Sequence, residues 1–328
     1  MYRKSCVALL CLLLASAIPA TAQQGESLPV RAIRDTLDID ATRQEFPYSV
    51  AEDTELALDI YFPRQPKPKG GWPVIIWFHG GGWILGSKRQ DVFVRHFPRY
   101  GYAVVSVQYR LAMGANFPDQ IRDARAACRW VWENSDKLNL DRDRIMLAGQ
   151  SAGAHLALLA AYTADRPLKN WGPTLPKGTV KAVAAMYPPT DLLRLVPRDS
   201  WGNALHPVAL LLGAEVSARI RLARSASPIN QVRRGAPPTL LLHGTKDSIV
   251  PVEQSVLLDK RLRSLGVPVT LNLVDDGHGF LLYPEKVEDV LKFIETVPAL
   301  AGSTNDEPLP EPPEKRSPAS KKRPGSTR

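Results

Sequence analysis

Cysteine is scarce in this sequence, with three residues among 328. Cys6 and Cys11 lie in an apolar amino-terminal run, and Cys128 stands alone in a stretch of helical periodicity. A single cysteine in the body of the chain cannot form an intrachain disulfide. The sequence therefore excludes the class of small domains that disulfides hold together. Cys128 is interpreted as a small buried hydrophobic residue and not as a nucleophile.

Apolar runs long enough to span a membrane are also missing. The amino-terminal run, Cys6–Ile18, is short for a bilayer span. It follows two basic residues and ends in Ala20-Thr21-Ala22, a combination that is typical of a secretory signal peptide and its cleavage site. We therefore predict a signal peptide over residues 1–22 and a mature chain that begins near Gln23. The expected location is periplasmic or secreted, without stable membrane insertion after cleavage. An uncleaved membrane anchor is the alternative.

Motifs for metals, phosphates and nucleic acids are absent as well. The sequence contains no H-E-x-x-H, no G-x-G-x-x-G and no P-loop lysine, so it predicts neither a metal site nor a cofactor. The formal net charge is +9, but the basic residues are not interleaved with aromatic ones as a nucleic-acid groove requires. No nucleic-acid partner is expected. Nothing repeats at a fixed period, which excludes solenoids and propellers.

The carboxyl-terminal residues 303–328 differ in composition from the rest of the chain. They contain a proline-rich run, Glu307–Pro313, followed by six lysines and arginines. A segment with so few apolar side chains cannot bury enough surface to offset the entropy of its ordering. We therefore predict a disordered tail over 303–328, and one folded domain over 23–302.

Within that domain, strand-like and helix-like stretches alternate. An alternating strand at 56–62 is followed by continuous apolar runs typical of fully buried strands, at 74–78 and 103–107. A short apolar strand at 145–148 and further strands at 180–186, 239–242 and 269–274 are also predicted. Helical stretches separate them, at 120–133, 152–164, 252–265 and 286–297. The pattern predicts an α/β fold, with a mostly parallel sheet and helices on both faces. Residues about 190–230, which include Trp201, interrupt the alternation and are interpreted as a small cap insertion.

The sequence Gly149-Gln150-Ser151-Ala152-Gly153 lies between a predicted strand and a predicted helix. In this context G-x-S-x-G forms a sharp turn, and its serine hydroxyl is exposed at the edge of the sheet. The amino terminus of the following helix favours negative charge that develops nearby. Ser151 is therefore the candidate nucleophile. A glycine-rich turn without catalytic function is the alternative.

A second glycine-rich motif, His79-Gly80-Gly81-Gly82-Trp83, follows another buried strand. Acyl transfer through a tetrahedral intermediate needs N–H donors that point at its oxyanion. We assign these donors to the main chain of Gly81 and Gly82, with Ala152 as the third. Trp83 is expected to line the substrate entrance.

An activated serine needs a base, and the base needs a carboxylate that orients it. In this type of fold the chain order is serine, acid, histidine. His278 lies in a glycine-flanked loop just past a strand, where catalytic groups concentrate. It is preferred over His206, in the predicted cap, and over His243, which closes an apolar strand. His155, four residues past the serine, is expected to pack in the core.

The acid should lie after a strand and before His278. Asp247 meets both conditions, because it follows the strand at 239–242. Asp191 follows an earlier strand and is one rival. Asp275 and Asp276 are also rivals, although they lie very near the histidine in sequence. Asp247 could also serve only as a turn or capping residue.

Together these motifs resemble a known family. The similar segments are His79-Gly80-Gly81-Gly82-Trp83, Tyr109-Arg110-Leu111-Ala112, the residues from Gly149 to Leu156, Ser227-Pro228-Ile229, and those from His243 to Asp247. The chain resembles the hormone-sensitive-lipase-like branch of the α/β-hydrolase fold, and within it bacterial feruloyl and acetyl-xylan esterases, over roughly residues 55–297. The resemblance implies a cofactor-free carboxylic-ester hydrolase. It implies a triad of Ser151, Asp247 and His278, with Gly81 and Gly82 as oxyanion glycines.

The sequence departs from this family at one place. Met113-Gly114-Ala115-Asn116 replaces a turn that is rich in proline and glutamate in the family, in a loop that borders the site there. The substrate that the resemblance implies is therefore left open.

Three functions fit these residues. The leading interpretation is an exported carboxylesterase that forms an acyl-enzyme and acts on a small-molecule or carbohydrate acyl ester. The alternative enzyme is an amidase or peptidase of the same fold, including a formamidase. A non-catalytic binding protein on a hydrolase scaffold would be expected to lose a member of the triad, whereas all three residue types are present in order.

Overall fold

Eight strands form one sheet in the computed structural model of this chain, which describes residues 41–51, 54–91, 93–279 and 286–301. The strands are β1 Ala41–Ala51, β2 Thr54–Pro63, β3 Trp72–Phe78, β4 Ala103–Val107, β5 Leu140–Gln150, β6 Val180–Met186, β7 Thr239–Gly244 and β8 Val269–Val274. Their order in the sheet is β1-β2-β4-β3-β5-β6-β7-β8. The pairs β1–β2 and β2–β4 are antiparallel and the other pairs are parallel. The prediction of a mostly parallel sheet with helices is confirmed.

The sheet is buried because its central strands are apolar on both faces. In β3, Ile75 and Trp77 belong to a hydrophobic core. This core also contains side chains of the 3₁₀ helix Phe93–Tyr100 and of the helix Lys286–Glu295, which is α8. The alternate residues Ile76 and Phe78 point to the opposite face and are equally buried. Continuous apolar runs are therefore what these strands require.

Three more long helices follow the parallel strands. They are α1 Asp119–Leu138, α2 Ala152–Tyr162 and α7 Glu253–Ser264. Every residue of α2 is buried, because this helix packs against α1 and against β3, β5 and β6. Its Ala- and Leu-rich sequence follows from that position. None of the helices in the described residues is both long and apolar enough to cross a membrane.

Short helices fill the stretch between β6 and β7 in which the cap insertion is predicted. They are α3 Leu192–Leu195, α4 Pro207–Leu212, α5 Ile220–Ser225 and α6 Pro228–Gln231, with 3₁₀ turns at Arg198–Ser200 and Val216–Ala218. The Trp201 indole N–H donates to the Val196 carbonyl at 3.0 Å and so closes this segment on itself.

The first strand is the main element that the sequence analysis missed. β1 pairs only with β2 in the described sheet, and most of its side chains are exposed or half-buried. An edge strand of this kind is held by main-chain hydrogen bonds and needs no apolar alternation. The predicted signal peptide at 1–22 and the predicted tail at 303–328 lie outside the described residues.

Candidate active site

Ser151 occupies the turn that joins β5 to α2. Its φ is 52° and its ψ is −120°, a strained conformation for a residue with a side chain and one that is typical of functional sites. The Ser151 N–H donates to the Met186 carbonyl at 2.9 Å. A Cβ at Gly153 would lie 2.0 Å from the Phe78 carbonyl oxygen, and one at Gly149 would lie 2.6 Å from the Gly153 main chain. Both glycines of the motif are therefore required for the turn to pack against β3.

Three candidate side chains form one hydrogen-bonded series. The distance from Ser151 Oγ to His278 Nε2 is 3.1 Å, and that from His278 Nδ1 to Asp247 Oδ2 is 2.7 Å. The carboxylate can only accept, so Nδ1 carries a proton and Nε2 is left to accept the serine hydroxyl. The structure thus brings together the three residues that the sequence analysis selected, with the imidazole in the tautomer that a base needs.

Asp247 is held as a carboxylate by several donors. Its Oδ1 accepts the N–H groups of Ile249 and Val250, both at 2.9 Å, and His243 Nε2 lies 3.4 Å from Oδ2. Burial acts to raise the pKa of Asp247, but hydrogen bonds from His243, His278 and the main chain outweigh it and hold the pKa well below its usual value. Asp247 therefore stays ionised and oriented toward the imidazole.

The rival acids lie elsewhere. Asp191 caps α3 by accepting N–H groups at 3.1 and 3.3 Å. Asp275 is exposed and pairs with Lys246 at 2.9 Å, and Asp276 accepts the N–H of its neighbour Gly277. Within the described residues, none of these three carboxylates is hydrogen-bonded to the imidazole that faces the serine.

The rival histidines are also engaged in other contacts. The His206 imidazole accepts the Val208 N–H at 3.1 Å and thereby caps α4. His243 is fully buried, where it donates to the Val250 carbonyl at 2.8 Å and accepts the Ser255 hydroxyl at 2.7 Å. Both therefore have structural partners that account for them.

The glycine-rich loop after β3 adopts a conformation that side chains disfavour. Gly81 has a φ of +113° and Gly82 a φ of +60°. The Gly81 carbonyl accepts the N–H groups of Ile84 and Leu85 at 3.1 and 2.9 Å, which closes a tight turn. Across the described part of the chain, no hydrogen bond is donated by the N–H groups of Gly81, Gly82 or Ala152. These amides therefore have no main-chain or side-chain acceptor among the described residues.

Trp83 lies inside the protein and not on its surface. Its side chain is buried, and its indole N–H donates to His155 Nδ1 at 3.2 Å. His155 in turn donates from Nε2 to the Ala226 carbonyl at 2.7 Å, and burial lowers its pKa to about 4. The observed role of Trp83 is thus to tie the glycine-rich loop to α2. Its contact with substrate stays a prediction.

The loop at 113–116, which departs from the family pattern, borders the insertion. Asn116 Nδ2 donates to the Leu210 carbonyl at 2.9 Å, and the Phe117 N–H donates to the Leu211 carbonyl at 2.8 Å. Met113 is 60% exposed. The departure therefore affects the surface where this loop meets α4.

One residue at the site was not identified from the sequence. The Tyr187 ring packs on His278, with 4.4 Å between their centroids. A signal existed, because Tyr187 directly follows β6, whose carboxyl end lies beside Ser151 in the sheet. No His, Cys, Asp or Glu residues are grouped in threes or more for metal binding in the described ranges.

A serine, an imidazole and a carboxylate in this order, on a sheet of this topology, define the chain as an α/β hydrolase. The family model described as BD-FAE matches residues 58–262, more than half of the chain. The chain belongs to the BD-FAE family. The match includes Ser151 and Asp247 and ends before His278.

Named relatives agree with this class. Esterase LipC of Mycobacterium tuberculosis is 34% identical over 238 residues, which cover 70% of this chain and 58% of LipC. The chain thus spans little more than half the length of that relative. Esterase Est2 of Thermogutta terrifontis, solved with propionate bound, is 27% identical and superposes with a TM-score of 0.66, covering 80% of this chain and 97% of Est2. A truncated carbohydrate esterase from gut microbiota is also 27% identical, with a TM-score of 0.64 and coverage of 78% and 97%.

Proposed function

We propose that this chain is a carboxylic-ester hydrolase in which Ser151 is the nucleophile, His278 the general base and Asp247 the acid that orients it. One observation carries the proposal: the hydroxyl, imidazole and carboxylate are hydrogen-bonded in series, 3.1 and 2.7 Å apart. The strained turn at Ser151 supports it, since such turns expose the nucleophile of this fold.

The proposed reaction has two halves. Ser151 Oγ attacks the ester carbonyl while His278 Nε2 takes its proton, and Asp247 stabilises the imidazolium that forms. The main-chain N–H groups of Gly81, Gly82 and Ala152 stabilise the oxyanion of the tetrahedral intermediate. His278 then gives its proton to the leaving alcohol, which departs and leaves an acyl-enzyme. Water hydrolyses the acyl-enzyme by the same route.

The proposed substrate class rests on similarity to relatives. Carbohydrate acyl esters are proposed because a carbohydrate esterase is among the structural neighbours. A short acyl group is proposed because Est2 was solved with propionate. Export to the periplasm or medium is part of the same proposal, since such substrates are extracellular polymers or their fragments. A panel of acetyl, butyryl, longer acyl and feruloyl esters tests the acyl preference, with matched amides as the comparison.

The decisive experiment tests the three side chains on one ester, p-nitrophenyl acetate. Ser151→Ala should abolish turnover and labelling by a fluorophosphonate probe, and His278→Ala should be nearly as damaging, because an unassisted serine is a poor nucleophile. Asp247→Asn should lower kcat by about 10⁴-fold, as in the best-studied serine protease. Asp275→Asn is the matched control and should retain wild-type turnover, because this carboxylate is exposed and paired with Lys246.

Other outcomes identify the competing functions. A wild-type protein that stays unlabelled by the probe would be a binding protein. Faster turnover of amides than of the matched esters would indicate an amidase. Wild-type turnover by purified Ser151→Ala would contradict the proposed mechanism as a whole.

A further inference from the structure

A buried aromatic ring lies against the proposed base. Tyr187 directly follows β6, and its ring centroid is 4.4 Å from that of His278, with 55° between the ring planes. Its main chain has a φ of +41°, an uncommon value for a residue with a side chain. The Tyr187 N–H donates to the Leu242 carbonyl at 2.7 Å. The main chain of Tyr187 is therefore anchored to β7, the strand that leads to Asp247.

The Tyr187 hydroxyl is anchored by a second, independent set of contacts. It donates to Gln150 Oε1 at 2.6 Å, and Gln150 Nε2 donates to Asp91 Oδ1 at 2.5 Å. The Trp77 indole N–H donates to the other oxygen, Asp91 Oδ2, at 2.6 Å. A continuous series of hydrogen bonds therefore runs from the core of β3, past the neighbour of the nucleophile, to the ring beside His278.

The direction of this series follows from the donors and the ionisation of Asp91. The Trp77 indole N–H can only donate, so Asp91 Oδ2 accepts. An ionised carboxylate has no proton to donate, so Oδ1 accepts as well. The Gln150 amide then turns its donor side to the carboxylate, which leaves its oxygen for Tyr187. Burial raises the pKa of Asp91 to about 6, so the carboxylate is mostly ionised at neutral pH. Burial also raises the pKa of Tyr187 well above its usual value, so the hydroxyl remains a donor.

The Tyr187 ring restricts the motion of the imidazole. The His278 side chain can turn about its Cα–Cβ and Cβ–Cγ bonds, and either motion displaces Nε2 from Ser151 and Nδ1 from Asp247. An aromatic ring packed against the imidazole opposes that motion. Because a small misplacement of a reacting group can cost about 10²-fold in rate, such a contact has consequences for turnover.

We propose that Tyr187 is a positioning residue that fixes the ring orientation of His278, and that Gln150 and Asp91 hold Tyr187 in place for this purpose. The proposal rests on the proposed function, because it assumes that His278 is the base. It adds three residues outside the proposed triad, Tyr187, Gln150 and Asp91. Asp91 lies 60 positions from the nucleophile in sequence, so only the folded chain brings it to this site.

The test uses two substitutions of Tyr187 and one matched control. Tyr187→Leu removes the aromatic face, and Tyr187→Phe keeps the ring but removes its hydroxyl anchor. Tyr162→Phe is the control, because this tyrosine is also buried and its hydroxyl is bonded to Thr239 at 3.0 Å, away from the site. Each variant is assayed for kcat and KM on p-nitrophenyl acetate, and for the downfield proton resonance of the His278 Nδ1–H.

The expected result is a loss in kcat with little change in KM. Tyr187→Leu should lose roughly ten- to a hundredfold in kcat, and its downfield resonance should broaden or disappear. Tyr187→Phe should lose less, since its ring remains, and Tyr162→Phe should match the wild type. Asp91→Asn should resemble Tyr187→Phe, because an amide cannot accept with both of its terminal atoms. Combining these two changes should add little, since both break one series of contacts.

Three results would overturn the proposal. One is a folded Tyr187→Leu with wild-type kcat and an unchanged resonance. Another is a rise in KM at constant kcat, which would make Tyr187 a substrate contact. If Tyr187→Leu does not fold, Tyr187→Phe decides, and wild-type kcat in that variant refutes the anchoring role. Ser151→Ala is measured in parallel, because its wild-type turnover would show instead that the proposed function has failed.

Discussion

Two neighbouring glycines offer a sharp test of the proposed oxyanion site, because the structure predicts opposite tolerance for them. A Cβ at Gly81 would lie 2.3 Å from the Leu85 carbonyl oxygen, which belongs to the main chain and cannot swing aside. A Cβ at Gly82 would meet only Ile84 and Pro207, at 3.7 and 3.9 Å, which are ordinary contact distances. Gly81→Ala must therefore displace the loop, whereas Gly82→Ala fits into it.

The expected magnitudes follow from this difference. Displacing the loop removes at least one donor, and losing one oxyanion donor typically lowers kcat by about 10²- to 10³-fold. Gly82→Ala keeps its N–H and pays only for a left-handed main chain, about 1–2 kcal/mol. In a domain of this size, each kcal/mol corresponds to a fall in melting temperature of about 2–4 °C. Gly82→Ala should thus lose stability modestly and keep most of its turnover.

The assay measures kcat and KM on p-nitrophenyl acetate for both variants, with circular dichroism and thermal unfolding as checks of the fold. Gly81→Ala should lose kcat while KM changes little, because the missing interaction forms in the transition state. The reasoning is refuted if folded Gly81→Ala turns over at the wild-type rate. It is also refuted if Gly82→Ala is impaired as severely as Gly81→Ala.

Two further predictions concern pH and processing. Burial lowers the pKa of His79 and His155 from 6.5 to about 4. As the pH falls, the unfolded chain therefore binds protons on these histidines at a higher pH than the folded chain does. Through them, the free energy of unfolding should fall as the pH drops from 6.5 toward 4, by up to about 3 kcal/mol for each histidine. Urea unfolding from pH 7.5 to 4.5 checks this: His155→Gln should lose less stability than the wild type over this range, and parallel curves for the variant and wild type would contradict it. The exported protein should begin near Gln23, as amino-terminal sequencing would show, whereas intact Met1 in the membrane fraction would indicate an anchor.

The buried strands could be predicted because their sequences reflect their surroundings. A strand covered on both faces needs an unbroken apolar run, and β4, which is buried along its whole length, matches the predicted bounds at both ends. β1 could not be found in this way, because an edge strand with mostly exposed side chains carries little periodicity. β5 begins at Leu140, five residues before its apolar run, and the polar residues 141–144 between them give no signal of a buried strand.

Some residues of the candidate site could likewise be predicted from the sequence, and others could not. Ser151 lies within a local motif, and His278 and Asp247 could be selected by chain order and by their place after strands. The series from Asp91 through Gln150 to Tyr187 has no such signal, since its members belong to three separate segments and meet only through side chains. For Trp83 the motif pointed to the residue but not to its surroundings. Its burial against His155 depends on how α2 packs, which the motif does not encode.

The topology explains why these side chains meet. The strands β3, β5, β6, β7 and β8 are neighbours in the sheet in the same order as in the chain, and all run parallel. Their pairing registers align their carboxyl ends: Gln150 is opposite Met186, and Gly244 is opposite Val274. The glycine-rich loop, the serine, Tyr187, the acid and the histidine each follow one of these five strands. A residue just past any of them is thus placed beside the site whatever its separation in sequence, and this is why a buried tyrosine after β6 can act on a histidine after β8.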